Sequence, residues 1–256
     1  MDTVVCVKQI IDTEAVIDLD AQGEVIREGQ TMVIDPYSEF AVERAVQLKE
    51  AEGGTVTLLA VGTDECMPAL RHGLAMGADA AILIDDPAWL EREPAQVAAM
   101  LAEAITDLNP DLIMGGWKSG DTAAAQVMGR VATIMNLPLA NMATALERTA
   151  DGVRVSCEVD DGVEVVDLPL PAVIAAQQGL AEPRYPSVRD VMQARRKGAE
   201  VRPAADLAAA SDAPVTVRVV SRTLKPARTG GRIIGGAPAE AVAETARLLA
   251  EEAKVI

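Results

Sequence analysis

The sequence predicts an α/β protein with a doubly wound, mostly parallel sheet, a β-hairpin insertion and an extended C-terminal arm. Three features predict it. Short, continuously apolar, β-branched runs recur, as strands buried on both faces require. Helical stretches alternate with them, the pattern of right-handed β–α–β crossovers. Half of the 256 residues are apolar but only 2% are aromatic. Such a core is filled by Ala, Val, Leu, Ile and Met, the usual packing of helices on a parallel sheet.

The strands are TVVCV (3–7), TVTLLAV (55–61), AAILI (80–84) and DLIMG (111–115). Between them, EFAVERAVQLKEAE (39–52) has helical spacing and stops at Gly53-Gly54. DECMPALRHGLAMGAD (64–79) begins with acids that suit a helix amino end. EPAQVAAMLAEAITDLNPD (93–111) carries Pro94 in its first turn and Asn109-Pro110 past its end. DTAAAQVMGRVATIM (121–135) is the fourth helix.

After about residue 140 the pattern changes. VRVSCEV and VEVVDL flank Asp160-Asp161-Gly162 and read as a hairpin. PAVIAAQ (171–177) is one more buried strand. AEPRYPSVRDVMQARRKG (181–198) is a proline-stiffened entry into a basic amphipathic helix. VRPAADLAAASDAP (201–214) reads as an aperiodic linker, RTGGRIIGGAPAE (228–240) is glycine-rich, and AEAVAETARLLAEEA (239–253) closes the chain as a helix.

A net charge of −16 repels a phosphate backbone and argues against general nucleic-acid binding. No apolar run reaches the ~18 residues that span a bilayer, so no membrane insertion is expected. MDTVVCVKQI enters a strand directly and does not read as a secretory signal. Cys6, Cys66 and Cys157 are odd in number and form no CxxC pair, which fits a reducing cytoplasm and neither a disulfide framework nor zinc. His72, the single histidine, lies in a predicted helix with no acid or cysteine beside it in sequence and reads as structural. Ser/His/Asp catalysis and histidine metal sites are thereby excluded, and no catalytic or metal residue is assigned.

Binding remains. In an open α/β sheet, ligands sit beyond the carboxyl ends of the strands, where KQIID (8–12), VGTDE (61–65) and GGWKSGDTAAAQ (115–126) fall. In the last, Ser119 or Asp121 can cap the following helix, whose free N–H groups then suit a phosphate. The same residues also read as a plain capped strand–loop–helix connection. In IDPYSEFAVERA (34–45), Asp35-Pro36 signals a turn and Ser38 can cap a helix. Tyr37 then either stacks on a flat ring or sits half buried beside the helix start.

Taken together, VVCVKQIID, DPYSEFAVERAVQLKE, RHGLAMGADAAILI, PDLIMGGWKSGD, VSCEVDDGVEVVDLPLPAVIA and EPRYPSVRDVMQARRK resemble, in order and spacing, the β subunit of electron transfer flavoprotein. The resemblance covers about residues 2–200, and the tail only loosely. It implies an adenine-nucleotide-binding, Rossmann-like domain over residues 1–200, including a recognition loop at about 183–197. It further implies that residues 201–256 are a linker and arm packing on a partner α subunit.

The same resemblance implies FAD held mainly by the α subunit, and an AMP of no redox role in this chain. Electrons would pass from acyl-CoA-type or amine dehydrogenases toward a quinone reductase. The implied nucleotide contacts are Cys6, Asp35, Pro36, Tyr37, Ser38, Val61 and the run Asp121, Thr122, Ala123, Ala124, Ala125, Gln126, Val127, Met128 and Gly129. Thr13 and Tyr37 fall at positions near the flavin ring. The resemblance assigns partner docking to Glu158, which would help hold the mobile flavin domain, and to Pro183, Arg184, Tyr185 and Val188, the last plugging a pocket on the dehydrogenase.

Several positions depart from the family pattern. Asp35 stands where Asn is usual, Ala125-Gln126-Val127 where Asn-Gln-Thr is usual, Thr13 where an aromatic is common, Val188 for Leu, and Cys157 for a basic residue. Two alternatives share the fold: an electron-bifurcating type with a second FAD in place of AMP, and a stand-alone adenine-nucleotide sensor without flavin. Arg195, Arg196 and Lys197 read equally as a solvated helix end and as docking charges.

Overall fold

The structure, a computed structural model, describes residues 1–212, 215–226 and 230–256. The chain begins with β1 (Thr3–Cys6), β2 (Gln9–Ile11), β3 (Met32–Ile34), α1 (Pro36–Glu52), β4 (Val56–Gly62) and α2 (Met67–Met76). It continues through β5 (Ala80–Asp85), α3 (Pro94–Leu108), β6 (Leu112–Gly116), α4 (Val127–Met135), β7 (Leu139–Arg148) and β8 (Gly152–Val159). β9 (Gly162–Pro169), β10 (Ala172–Ala176), α5 (Val188–Lys197), β11 (Glu200–Pro203), the short α6 (Ala209–Asp212) and α7 (Pro238–Leu248) complete it.

The nine-stranded sheet runs β11-β5-β4-β1-β6-β10-β7-β8-β9. From β11 through β7 every pairing is parallel. β8 and β9 add antiparallel at the far edge. The expected doubly wound sheet and its hairpin are therefore present. β7, and a two-stranded ribbon of β2 and β3, were not expected.

Alternate residues of the central strands feed two cores. Val5, Leu58, Leu83, Met114 and Ile174 pack under α1 and α2. Val4, Leu59, Ile82, Ile113 and Val173 pack under α3 and α4. The apolar stripe of α3, with Met100, Leu101 and Ile105 all buried, gains ~1.5–3 kcal/mol per large side chain. The sequence order of strands reverses at β1, since β4 and β5 lie to one side and β6 and β10 to the other. The crevice beyond the carboxyl ends of β1 and β6 is the topological switch point.

Several helix boundaries differ from expectation. α1 begins at Pro36, and its N-cap is Asp35, whose side chain accepts the N–H groups of Tyr37 and Ser38. Ser38 does not cap; its Oγ accepts from Lys8 N at 3.2 Å. Residues Asp64–Cys66 form a 3-10 turn, with α2 following. The stretch 201–214 opens as strand rather than linker, because Glu200–Pro203 pairs with Ile82–Asp85 at the sheet edge. Residues 213 and 214 of that stretch, and 228 and 229 of the glycine-rich segment, lie outside the described residues.

Met1–Ile17 and Val25–Val220 form the larger compact unit; Asp18–Glu24 and Ser221–Ile256 form a smaller one. Within the smaller unit, Arg222 pairs with Glu24 at 2.6 Å. α7 buries no side chain, and Val242 is 69% exposed. No helix among the described residues is long and apolar enough to cross a membrane.

Candidate functional site

A cavity of about 340 Å³ opens at the switch point. Cys6, Val7 and Lys8 at the end of β1, Val61 in β4 and Gly116 at the end of β6 line it. An apolar wall comes from Leu90 and from Val97 and Leu101 of α3, and Trp89 stands beside them. The other wall is the segment from Trp117 to Met128.

That segment overturns one expectation. Residues 121–126 are a loop, not the first turns of a helix: Ala123 (φ 50°) and Ala125 (φ 53°) are left-handed. α4 starts only at Val127, and its N-cap, Gln126, makes no side-chain capping bond; its Oε1 accepts from Arg130 instead. Neither Ser119 nor Asp121 caps a helix. Instead both face Lys8, whose Nζ lies 2.6 Å from Asp121 Oδ1 and donates to Ser119 Oγ at 3.1 Å. The Asp121 carboxyl is held below its ordinary value by Lys8 and hydrogen bonds, against an opposing push from burial.

Asp35 anchors this loop from below. Its Oδ2 accepts the Gly120 N–H at 2.6 Å, while Oδ1 caps α1. Burial pushes its carboxyl above the ordinary range, and the three N–H donors oppose that. Both oxygens are thus committed to backbone groups of the same chain. Gly116 allows the close approach beneath the loop, because a Cβ there would meet Tyr37 Cβ at 2.7 Å. A Cβ on Gly120 would in turn meet Ile10 Cδ1 at 3.0 Å and Thr13 Cγ2 at 3.5 Å.

Of the expected nucleotide contacts, Cys6, Ser38, Val61, Asp121, Thr122, Ala124, Ala125, Gln126, Val127 and Met128 line the cavity. Asp35, Pro36, Tyr37, Ala123 and Gly129 do not. Tyr37 meets Trp117 and Phe40 edge-on at 5.9 and 6.2 Å, with Lys118 Nζ 5.5 Å from its ring centroid. Burial pushes the Cys6 thiol up to about 12, so it stays protonated. Sequence reasoning placed Lys8, Trp117 and Lys118 in segments at the strand ends without singling them out as site residues, and missed Trp89. The usable signal was a charged residue directly after a buried strand, and both tryptophans of the chain falling in the connections that follow β5 and β6.

The 181–198 segment divides sharply in two. Arg184 turns inward, bonding Glu43 at 2.9 Å and Glu50 at 2.6 Å on α1. Tyr185 is 99% and Val188 79% exposed. Ser187 and Asp190 form a capping box that starts α5. Glu158, at the end of β8, accepts from Gln177 Nε2 at 3.1 Å. His72, expected to lack an acidic partner, lies 2.7 Å from Glu39.

The model of the electron transfer flavoprotein domain matches residues 22–207. The electron transfer flavoprotein subunit beta of Bacillus subtilis is 38% identical over the full length of both chains. That of Syntrophomonas wolfei is 39% identical over all of this chain and 98% of its own. The chain belongs to the electron transfer flavoprotein family, as a beta subunit. The bovine subunit beta is also similar, 34% identical over 89% of this chain and 90% of its own. Against that family background, the cavity at the switch point and the exposed segment around Tyr185 and Val188 are separate surfaces of one flavoprotein subunit, joined by α1.

Proposed function

We propose that this chain is the nucleotide-holding and docking half of a heterodimeric electron carrier. It would bind AMP structurally in the switch-point cavity and support FAD held mainly by an α subunit. The cavity's place beyond the carboxyl ends of β1 and β6, at the switch point, carries the reading, and its volume of about 340 Å³ falls within the ~300–1,000 Å³ usual for small-molecule pockets. The apolar wall suits a base; Lys8, Ser119 and Thr122 offer partners to a phosphate. The uncapped amino end of α4 adds backbone donors and a favourable dipole there.

FAD supplies one-electron and two-electron chemistry when bound. This chain would contribute Tyr37 and Thr13 near the ring. Its part is positioning and exclusion of water, without catalytic residues of its own. Val188 and Tyr185, with Pro183, would present a docking surface to an acyl-CoA-type or amine dehydrogenase, Glu158 would help hold the mobile flavin domain, and electrons would continue to a quinone reductase. Arg184 takes the role of a brace rather than a contact. The arm fits the α-subunit partner: Val215, Val217, Val219 and Val220 are 57–83% exposed, and Ile233 and Ile256 are exposed as well. Apolar surface of that extent is expected to be covered in an assembly.

Co-expression with a candidate α subunit tests this. A yellow heterodimer with flavin absorption is expected. A colourless monomer would overturn the reading in favour of a stand-alone nucleotide sensor.

A further inference from the structure

We propose that Asp121 is a built-in competitor for the anionic group of the nucleotide, holding Lys8 until a phosphate takes its place. The inference rests on the cavity being a nucleotide site and deepens that reading. It assigns Lys8 as the phosphate-contact residue and Asp121 as the residue that sets affinity.

Lys8 follows a buried strand, so its backbone is fixed by the β1 pairings and by the N–H donated to Ser38 Oγ. Only its side chain is free to move. The ammonium has two polar partners, Asp121 at 2.6 Å and Ser119 at 3.1 Å, and all three residues line the cavity. A carboxylate there is the same chemical kind of partner as a phosphate oxygen: an anionic acceptor at hydrogen-bond distance. The two cannot both take the short contact without repelling each other.

Exchange is also easy. The pair is about one-third exposed on each side, at 38% and 36%, and pairs of that exposure are held weakly. Asp121 belongs to the irregular loop preceding α4, whereas Lys8 is anchored to the sheet. The carboxylate is therefore the partner that leaves. Of the other two cations lining the cavity, Arg92 is taken by Asp86 at 2.7 Å, and Lys118 lies over the Trp117 and Tyr37 rings at 4.5 and 5.5 Å. Lys8 is the cation already held at hydrogen-bond distance by an anionic oxygen of the cavity loop, the position a phosphate would take. A nucleoside monophosphate meets this device; an uncharged nucleoside does not.

The test uses the heterodimer, stripped of nucleotide, with AMP and adenosine as probes in calorimetric titration. Asp121→Asn is expected to tighten AMP about fivefold, the size of one exposed ion pair, and to leave adenosine unchanged. Asp121→Ala should move in the same direction. Lys8→Gln should weaken AMP, and adding Asp121→Asn to it should bring a smaller gain than in the wild type, because the competitor then has nothing to hold and only its repulsion of the phosphate is relieved. AMP affinity unchanged or weakened in Asp121→Asn would overturn the proposal. So would an equal gain for adenosine, or a gain that is undiminished in the Lys8→Gln background. A wild-type heterodimer that binds neither probe would refute the nucleotide reading itself, and this inference with it.

Discussion

Asp35 accepts the backbone N–H of Gly120 at 2.6 Å, across 85 residues of sequence. One buried carboxylate thereby caps α1 and fixes the loop that walls the cavity. Asp35→Ala should lose the cap and leave N–H groups unsatisfied, costing about 2–3 kcal/mol. Asp35→Asn keeps one acceptor oxygen and should cost less. Urea midpoints, with the slope unchanged, and faster amide exchange at Gly120 check both.

Arg184 braces the exposed segment against α1. Removing its guanidinium leaves Glu43, only 3% exposed, as a buried charge with two fewer donors. Arg184→Gln should destabilise by about 2–4 kcal/mol. Arg184 also holds the Glu50 carboxyl below its ordinary range. A carboxyl with a lowered folded pKa stabilises above its unfolded value, near ~4.3, and loses that contribution as pH falls through the folded value. The gap between wild type and variant should therefore be full at neutral pH and narrow below about pH 4. Thermal midpoints of both proteins across that range are the measurement.

Val188 protrudes from the first turn of α5 at 79% exposure. Val188→Asp should leave stability within about 0.5 kcal/mol. The rate of flavin reduction by a cognate dehydrogenase should fall about tenfold or more, as for a central anchor residue. Normal reduction with intact folding would remove Val188 from the docking surface.

Gly116 and Gly115 separate packing from cavity shape. A Cβ on Gly115 meets mainly the flexible Met128 side chain, whereas one on Gly116 meets Tyr37 Cβ and the Lys118 carbonyl at 2.9 Å. Gly116→Ala should cost about 1–3 kcal/mol and weaken AMP binding more than Gly115→Ala does. Titration calorimetry on both heterodimers compares them.

Much of this architecture is legible in the sequence. β1, β4, β5, β6 and β10 announce themselves because strands buried on both faces are apolar throughout. β7 does not, since LANMATALER is only partly buried and is broken by Met142 at φ 54° and a register shift. The start of α4 was misplaced for a related reason. Ala123 and Ala125 have high helix propensity, yet they sit in left-handed conformations that tertiary structure imposes. The recognition segment was visible through its prolines, but the inward turn of Arg184 depends on Glu43 and Glu50, 141 and 134 residues away. Lys8 was hidden because a lysine after a strand carries no motif; its meaning arises only when the fold brings Ser119 and Asp121 to it.

The most direct test of the central claim is the nucleotide content of the heterodimer as purified. The released nucleotides, separated chromatographically after denaturation, should contain one FAD and one AMP per heterodimer. Two FAD and no AMP would contradict a mononucleotide site at the switch point and place the chain with the bifurcating type. Absence of flavin would contradict the electron-carrier assignment as a whole.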